Sequence, residues 1–335
     1  MEGEDILIPR IRGIVHTAEF YQSLLEVEAI RLEETYKSYI TEKSKGNIMF
    51  EFGGCIKIIL FSRNGFMRIY VDFIELLCNP IIDEKNLREI NEKINSICDN
   101  IFIYEDRGLV LSRYDARLDV KFDNKNSVDT MIRLLERSVQ KIGQMHRDDN
   151  PEYIGKSIRF KSSANKSTMG INIYDKEQER IDKARLKGEE VEIAEYEINV
   201  LRFEVQLYNP HLNYRKRYYG SQKELESYLN TVVSKEYMDK YIYPIVFNGN
   251  YYDLKNAKQL MKEKGLRESE VKKLIEFLKY GEKTNLTITK ERFGRYKYET
   301  YTNRLNEIDI NPVIIPESMK LEYFENYLSG LLIRH

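Results

Sequence analysis

Three short stretches set chemistry-bearing side chains two residues apart. "GINIYDK" (170–176) places Asn172, Tyr174 and Lys176 opposite Ile171 and Ile173. "RLDVKFD" (117–123) opposes Arg117, Asp119, Lys121 and Asp123 to Leu118, Val120 and Phe122. "LRFEVQL" (201–207) opposes Arg202, Glu204 and Gln206 to Leu201, Phe203, Val205 and Leu207. A period of two is that of a strand with one buried face. If the three strands are neighbours, one polar face collects a tyrosine, a lysine, two carboxylates and two arginines. That inventory suits phosphoryl transfer.

Asp119 and Glu204 offer hard oxygen donors for Mg²⁺ or Mn²⁺. Such a divalent metal polarises a scissile phosphate and orients it for in-line attack. A tyrosine hydroxyl, with a free pKa of about 10, is a weak nucleophile and needs help. On this reading Tyr174 is the nucleophile and Lys176, expected on the same face, lowers its pKa or neutralises the phosphate. Asp123, Glu177 and Glu179 stay open as further ligands. The ordinary alternative for each strand taken singly is a solvated face.

The elements that must position these residues follow from the flanking pattern. Strands are expected at 4–12 and through 48–75, where "SRNGF" carries an Asn-Gly hairpin turn. A helix is expected over 83–98 with Asp83 as its cap, strands over 107–123, and a helix over 127–142 capped by Ser127. Strands return at 157–162, 168–176 and 196–208. After "YNPHLN" (208–213) helical spacing takes over, at 221–232, 254–264, 267–280, 289–308 and 318–333. This predicts an α+β fold, a mainly antiparallel sheet with flanking helices, over residues 1–215, followed by a C-terminal helical domain over 216–335. Within the latter, 253–278 has helix–turn–helix spacing with Gly265 ending the first helix, a pattern that plain packing also produces.

Charge separates the same two parts. The net charge of the 335 residues is −1, yet between His211 and Arg304 there are 20 Lys/Arg against 12 Asp/Glu. The cluster "YRKRYYG" (214–220) mixes Arg215, Lys216 and Arg217 with Tyr218 and Tyr219, cations beside stacking rings that suit a polyanionic partner, with solvated helix faces as the ordinary alternative. A hydrophobic content of 42% can build a core and excludes a disordered chain. Apolar runs fall far short of the ~20 residues of a membrane span, and residues 1–30 lack a signal-peptide core. Cys55, Cys78 and Cys98 lack metal-type spacing, so free thiols in a reducing cytoplasm are expected and a zinc finger is not.

The series "SRYDARLDVKFD", "GINIYDKEQE" and "NVLRFEVQLYNPHL" resembles the phage and plasmid replication initiators of the filamentous-phage gene II/X family. Those proteins carry an R-x-D strand, then an apolar strand with the nicking tyrosine and a lysine two residues on, then an R-F-E strand. The segment "YKYETYTNRLNEIDINPVIIPE" (296–317) is similar to the tail of Gram-positive members. The resemblance implies a rolling-circle replication initiator, a metal-dependent nickase and strand transferase. It implies Tyr174 as nucleophile with Lys176 after it, and Arg117, Asp119, Arg202 and Glu204 as the arginines and acids of the two other motifs. It further implies single- and double-stranded origin DNA, a host helicase and a host polymerase as partners.

One departure stands out. Many rolling-circle nickases hold metal with a His-x-His pair, and His16, His146, His211 and His335 form none, so carboxylates are expected to do that work. Two rival readings accompany this one. A non-enzymatic DNA-binding regulator of replication or transcription would use the sheet as a scaffold and need no metal. A tyrosine recombinase is mostly helical around a tyrosine near its C-terminus, unlike Tyr174 in mid-chain.

Overall fold

Alternating apolar residues put one face of each central strand into a shared core, and the computed structural model shows those strands side by side. It describes residues 11–44, 46–104, 108–150, 152, 155–162 and 168–333. The N-terminal elements are β1 (Ile11–Arg12), β2 (Val15–Ser23), α1 (Glu26–Thr35), β3 (Ile40–Ser44), β4 (Asn47–Phe52), β5 (Ile56–Phe61), β6 (Phe66–Asp72), α2 (Phe73–Leu77) and α3 (Leu87–Cys98). The middle of the chain forms β7 (Val110–Lys121), α4 (Lys125–Glu136), β8 (Lys141–Ile142), β9 (Met145–Arg147), β10 (Ser157–Ser162), β11 (Met169–Asp175), α5 (Lys176–Lys187) and β12 (Val200–Tyr208).

All twelve strands join one antiparallel sheet, in the order β3-β4-β5-β6-β2-β7-β12-β11-β10-β9-β8, with β1 paired to β7. The three chemistry-bearing strands are therefore consecutive. Their register sets Asp119 opposite Arg202 and Arg202 opposite Tyr174, then Arg117 opposite Glu204 and Glu204 opposite Asn172. Directly opposed residues share a face, so the expected polar face is real.

On the other face Leu201, Phe203, Val205, Ile171, Ile173 and Val120 are buried. Each large apolar side chain removed from water there contributes ~1.5–3 kcal/mol. The amphipathic helix α4 covers β10 and β11 with Val128, Met131, Ile132 and Leu135. Next to it, β7 and β12 are covered by the helices that follow the sheet.

Those helices are α6 (Asn209–Tyr219), α7 (Thr231–Tyr241), α8 (Tyr243–Val246), α9 (Leu254–Glu263), α10 (Glu268–Lys283), α11 (Leu286–Phe293) and α12 (Arg295–Glu307), with a small hairpin of β13 (Tyr251–Tyr252) and β14 (Tyr323–Phe324). The expected boundary between 215 and 216 falls inside α6; the change from strand to helix occurs at Asn209. Contacts tie the helical part to the sheet part: Ser138 donates to the Ile245 carbonyl at 2.5 Å, the Tyr327 hydroxyl to Asp123 at 2.9 Å, and Phe324 stacks on Phe122.

Several expected elements differ in their bounds. The helix expected from Ser127 is capped by Asn124, which accepts from the Ser127 amide and hydroxyl, and it ends before the β8–β9 hairpin. The helix expected over 221–232 is a short 3₁₀ turn (Leu225–Ser227), because Asn230 caps a new helix, α7, at its own position. The span 289–308 is broken at Gly294, whose φ of 78° no continuous helix contains, into α11 and α12. Residues 318–333 hold no α-helix; Lys320 at φ 51° turns the chain into β14. Of the strand expected at 4–12, residues 4–10 lie outside those described. Cys55, Cys78 and Cys98 are unpaired. No helix among the described residues is long and apolar enough to cross a membrane.

Candidate active site

Tyr174 lies near the end of β11, its ring on the polar face and half-buried. Its hydroxyl donates to Glu204 Oε1 at 2.6 Å. The same oxygen is 3.1 Å from Nδ1 of His16, and Nε2 of that ring is 3.3 Å from Asp72 Oδ2. Four strands thus supply one chain of polar contacts: Tyr174 from β11, Glu204 from β12, His16 from β2 and Asp72 from the end of β6.

Asp72 is fixed from behind. Its Oδ1 caps α2, accepting from the amides of Ile74 and Glu75 at 3.0 and 3.2 Å. His16 reaches the polar side through a β-bulge. Between Val15 and Ala18 the strand β2 spends one residue more than its partner β7. The extra residue lets neighbours point the same way. His16 meets Glu204, and Thr17 donates to Asp115 Oδ2 at 2.6 Å.

These contacts set the charge states. Burial pushes the Tyr174 phenol well above its ordinary value of 10, and the adjacent Glu204 charge pushes it further. Burial also opposes the charge on Glu204, but hydrogen bonding to His16, the imidazole charge, Arg202 and the Tyr174 hydroxyl outweigh it and hold the carboxyl below the usual range. Asp72 is depressed in the same way: burial opposes its charge and His16 overcomes that. The result is a neutral phenol held against an ionised carboxylate.

Asp119 occupies a different place. Its two oxygens take a forked pair of hydrogen bonds from Arg202, 2.8 and 2.9 Å, and Arg117 Nη1 lies 3.5 Å away. Arg202, Arg117 and Asp119 are all at most 5% exposed. Burial opposes the Asp119 charge, and the two guanidinium groups outweigh that and depress its pKa. A metal at Asp119 would have to displace Arg202, so the expected ligand is instead the anchor of two buried arginines. Arg117 packs over Gly13, where a Cβ would lie 1.9 Å from Nη2, and donates to the Pro80 carbonyl at 2.6 Å. Nη1 of Arg202 has no hydrogen-bond partner among the described residues.

Lys176 belongs to α5 and not to the strand that carries Tyr174. Asp175 accepts from the Gln178 amide at 3.1 Å and caps α5, so strand alternation stops one residue before the lysine. The Lys176 ammonium, 4% exposed, sits 2.9 Å from Glu179 and 3.4 Å from Glu197. The cation acting on Tyr174 is Arg202. Of the other acids considered as ligands, Asp123 is bonded to Tyr327 and Glu177 to the Asn199 amide, while Glu179, which lines the groove, is paired with Lys176 and Lys183.

Tyr174 and Glu204 open into a groove of about 800 Å³ over the polar face, walled on one side by α5. Arg113, Lys156, Arg159, Lys183 and Arg185 bring cations to it, among acids that include Asp115 and Glu179. Asp115 and Arg113 repeat the R-x-D motif four residues before Arg117 and Asp119, and their fork closes at 2.8 and 2.9 Å. No family model and no curated protein matches this chain.

Of the cluster expected to meet DNA, Arg215 is half-buried, bonded to Glu236 at 3.0 Å and to the Tyr237 hydroxyl at 3.1 Å. Lys216, Arg217, Tyr218 and Tyr219 are exposed at the end of α6, where the Arg217 guanidinium lies 5.4 Å from the Tyr218 ring centre.

Among the described residues no group of three or more His, Cys, Asp or Glu side chains is arranged to hold a divalent metal. Mg²⁺, however, is commonly bound by one or two protein ligands, with water and substrate phosphate completing the shell. Glu204 Oε1 and His16 Nδ1, 3.1 Å apart, have the spacing of neighbouring ligands. A bound metal would replace the Nδ1 proton that His16 directs at Glu204, leaving Nε2–H on Asp72, the arrangement by which a carboxylate orients a ligating histidine. The pair fits.

Two features of the sequence mark Arg113, Asp115 and His16. The R-x-D unit is doubled within "SRYDARLD", which points to Arg113 and Asp115. His16 is the lone histidine in an otherwise strand-like stretch, "VHTAEFYQS", whose alternation slips by one.

Proposed function

We propose that this chain is a rolling-circle replication initiator that opens one DNA strand through Tyr174. The observation that carries the reading is the 2.6 Å hydrogen bond from the Tyr174 hydroxyl to Glu204 inside a groove of about 800 Å³ that gathers several cations. The Tyr174 oxygen attacks a phosphate of the bound strand while its proton passes to Glu204. The Tyr174 oxygen–phosphorus bond forms as the bond from phosphorus to the 3′ oxygen breaks, and the departing oxygen takes up a proton as a free 3′-OH. A 5′-phosphotyrosyl protein results, and reversal of the same steps rejoins the strand.

Glu204 and His16 would hold a Mg²⁺ or Mn²⁺, which supplies Lewis-acid polarisation of the phosphate when bound. Arg202 lends positive charge beside the phenol, and Asp119 holds Arg202 in place. The hydrogen bond supports a general base because the acceptor already lies on the proton it must take.

The test is incubation with labelled single-stranded DNA from the chain's own replicon, with and without Mn²⁺, read on a denaturing gel. A metal-dependent covalent adduct mapping to Tyr174, and absent from Tyr174→Phe, is the expected result. No adduct, together with tight metal-independent duplex binding, would leave a DNA-binding regulator.

A further inference from the structure

The cations of the helical part are unevenly spread. Lys255, Lys258 and Lys262 recur at spacings of three and four along α9, which puts them on one side of the helix. All three are exposed, and a separate side of the helix buries Ala257 and Met261. The chain then passes through Lys264 and Gly265 (φ 75°) to Arg267, adding two more exposed cations at the start of α10. None of these five cations is ion-paired to a carboxylate among the described residues. Some other surface cations differ: Arg88, Arg295, Arg304 and Lys235 are each paired to an acid on their own helix.

We propose that the exposed side of α9, continued by the turn to Arg267, is a docking surface for the phosphate backbone of duplex DNA. Seven residues of helix span about 10.5 Å, so the three lysines form a straight row about two turns long. Such a row follows a backbone or enters a wide groove, whereas a single-stranded polymer calls for stacking rings between the charges. No aromatic side chain lies in the row. The surface is carried on a body fixed to the sheet by the Tyr327–Asp123 and Phe324–Phe122 contacts, just beyond the end of β7. Tyr174 lies at the same end of the neighbouring strands. The inference rests on the proposed function only for the identity of the polymer.

The experiment measures binding of a fluorescein-labelled duplex by anisotropy, without metal, across a salt series. It compares the full chain with the triple variant Lys255→Gln, Lys258→Gln, Lys262→Gln. A control triple, Lys37→Gln, Lys57→Gln, Lys85→Gln, removes the same charge from elsewhere. Each phosphate contact contributes about 0.9 to the slope of log K against log salt. The α9 variant is expected to lose about 2–3 from that slope and to bind at least tenfold more weakly at low salt, with the control unchanged and the circular dichroism of both preserved. Equal slopes for all three proteins would overturn the assignment. So would failure of the full chain to bind duplex, or preferential binding of α9 to vesicles of one part phosphatidylserine to three of phosphatidylcholine. Since no cleavage is read, absence of a Tyr174 adduct in the separate nicking assay leaves this result standing.

Discussion

The hydroxyl of Tyr174 and the Nδ1 of His16 converge on one oxygen of Glu204, from strands on opposite sides of it in the sheet. That oxygen is at once the acceptor for the phenolic proton and half of the candidate metal pair. Glu204→Gln keeps an oxygen for the hydrogen bond and loses the capacity to take a proton. Nicking of single-stranded DNA is expected to fall by about 10²–10⁴, the usual share of a general base, with strand binding preserved. A rate within a few-fold of the unmodified protein, measured in single turnover, would remove Glu204 from the proton path.

The Arg202–Asp119 fork makes a second prediction, on stability. Both groups are almost wholly buried, so removing one leaves the other charged and short of its main partner. Arg202→Met is expected to cost about 3–5 kcal/mol in urea unfolding. The double variant Arg202→Met, Asp119→Leu removes both charges and should recover much of that loss. A double variant no better than the single one would mean that Arg202 acts through packing alone.

Acid should loosen the site in a defined direction. Glu204, Asp72 and Asp119 all have folded-state values below their unfolded ones. The native state therefore binds fewer protons than the unfolded chain, and the stability they contribute is full above a pH of about 4–5, where unfolded carboxyls are ionised. It is lost as the pH falls through the lower folded values. Asp115, whose carboxyl burial pushes upward, offsets part of this. Thermal unfolding from pH 6 to pH 3 should show falling stability, less steeply in Glu204→Gln. Stability that rises on acidification would contradict the charge assignments.

The sheet and its polar face were legible because β7, β11 and β12 alternate without interruption, and alternation is what a half-buried strand requires. The face was less legible at its edges. Lys176 reads as a continuation of β11, yet Asp175 before it is a better helix cap than a strand residue, and the cap decides. His16 was hidden for the opposite reason: a bulge breaks the period, so the stretch that carries it shows no clean pattern. Asp72 shows neither pattern, since it is the last residue of one element and the cap of the next. In the helical part, the break at Gly294 depends on a backbone angle that the apolar spacing of 289–308 does not record.

The bulge in β2 also says what kind of sequence change this site can survive. Because one surplus residue is what brings both His16 and Thr17 to the polar side, deleting any single residue between Val15 and Ala18 would restore a regular ladder and carry the imidazole away from Glu204. Substitutions along β2 would leave that count intact. Descendants of this chain are therefore expected to vary in the identity of the residues around His16 far more freely than in their number, and an aligner that opens a gap there would be aligning two different sites.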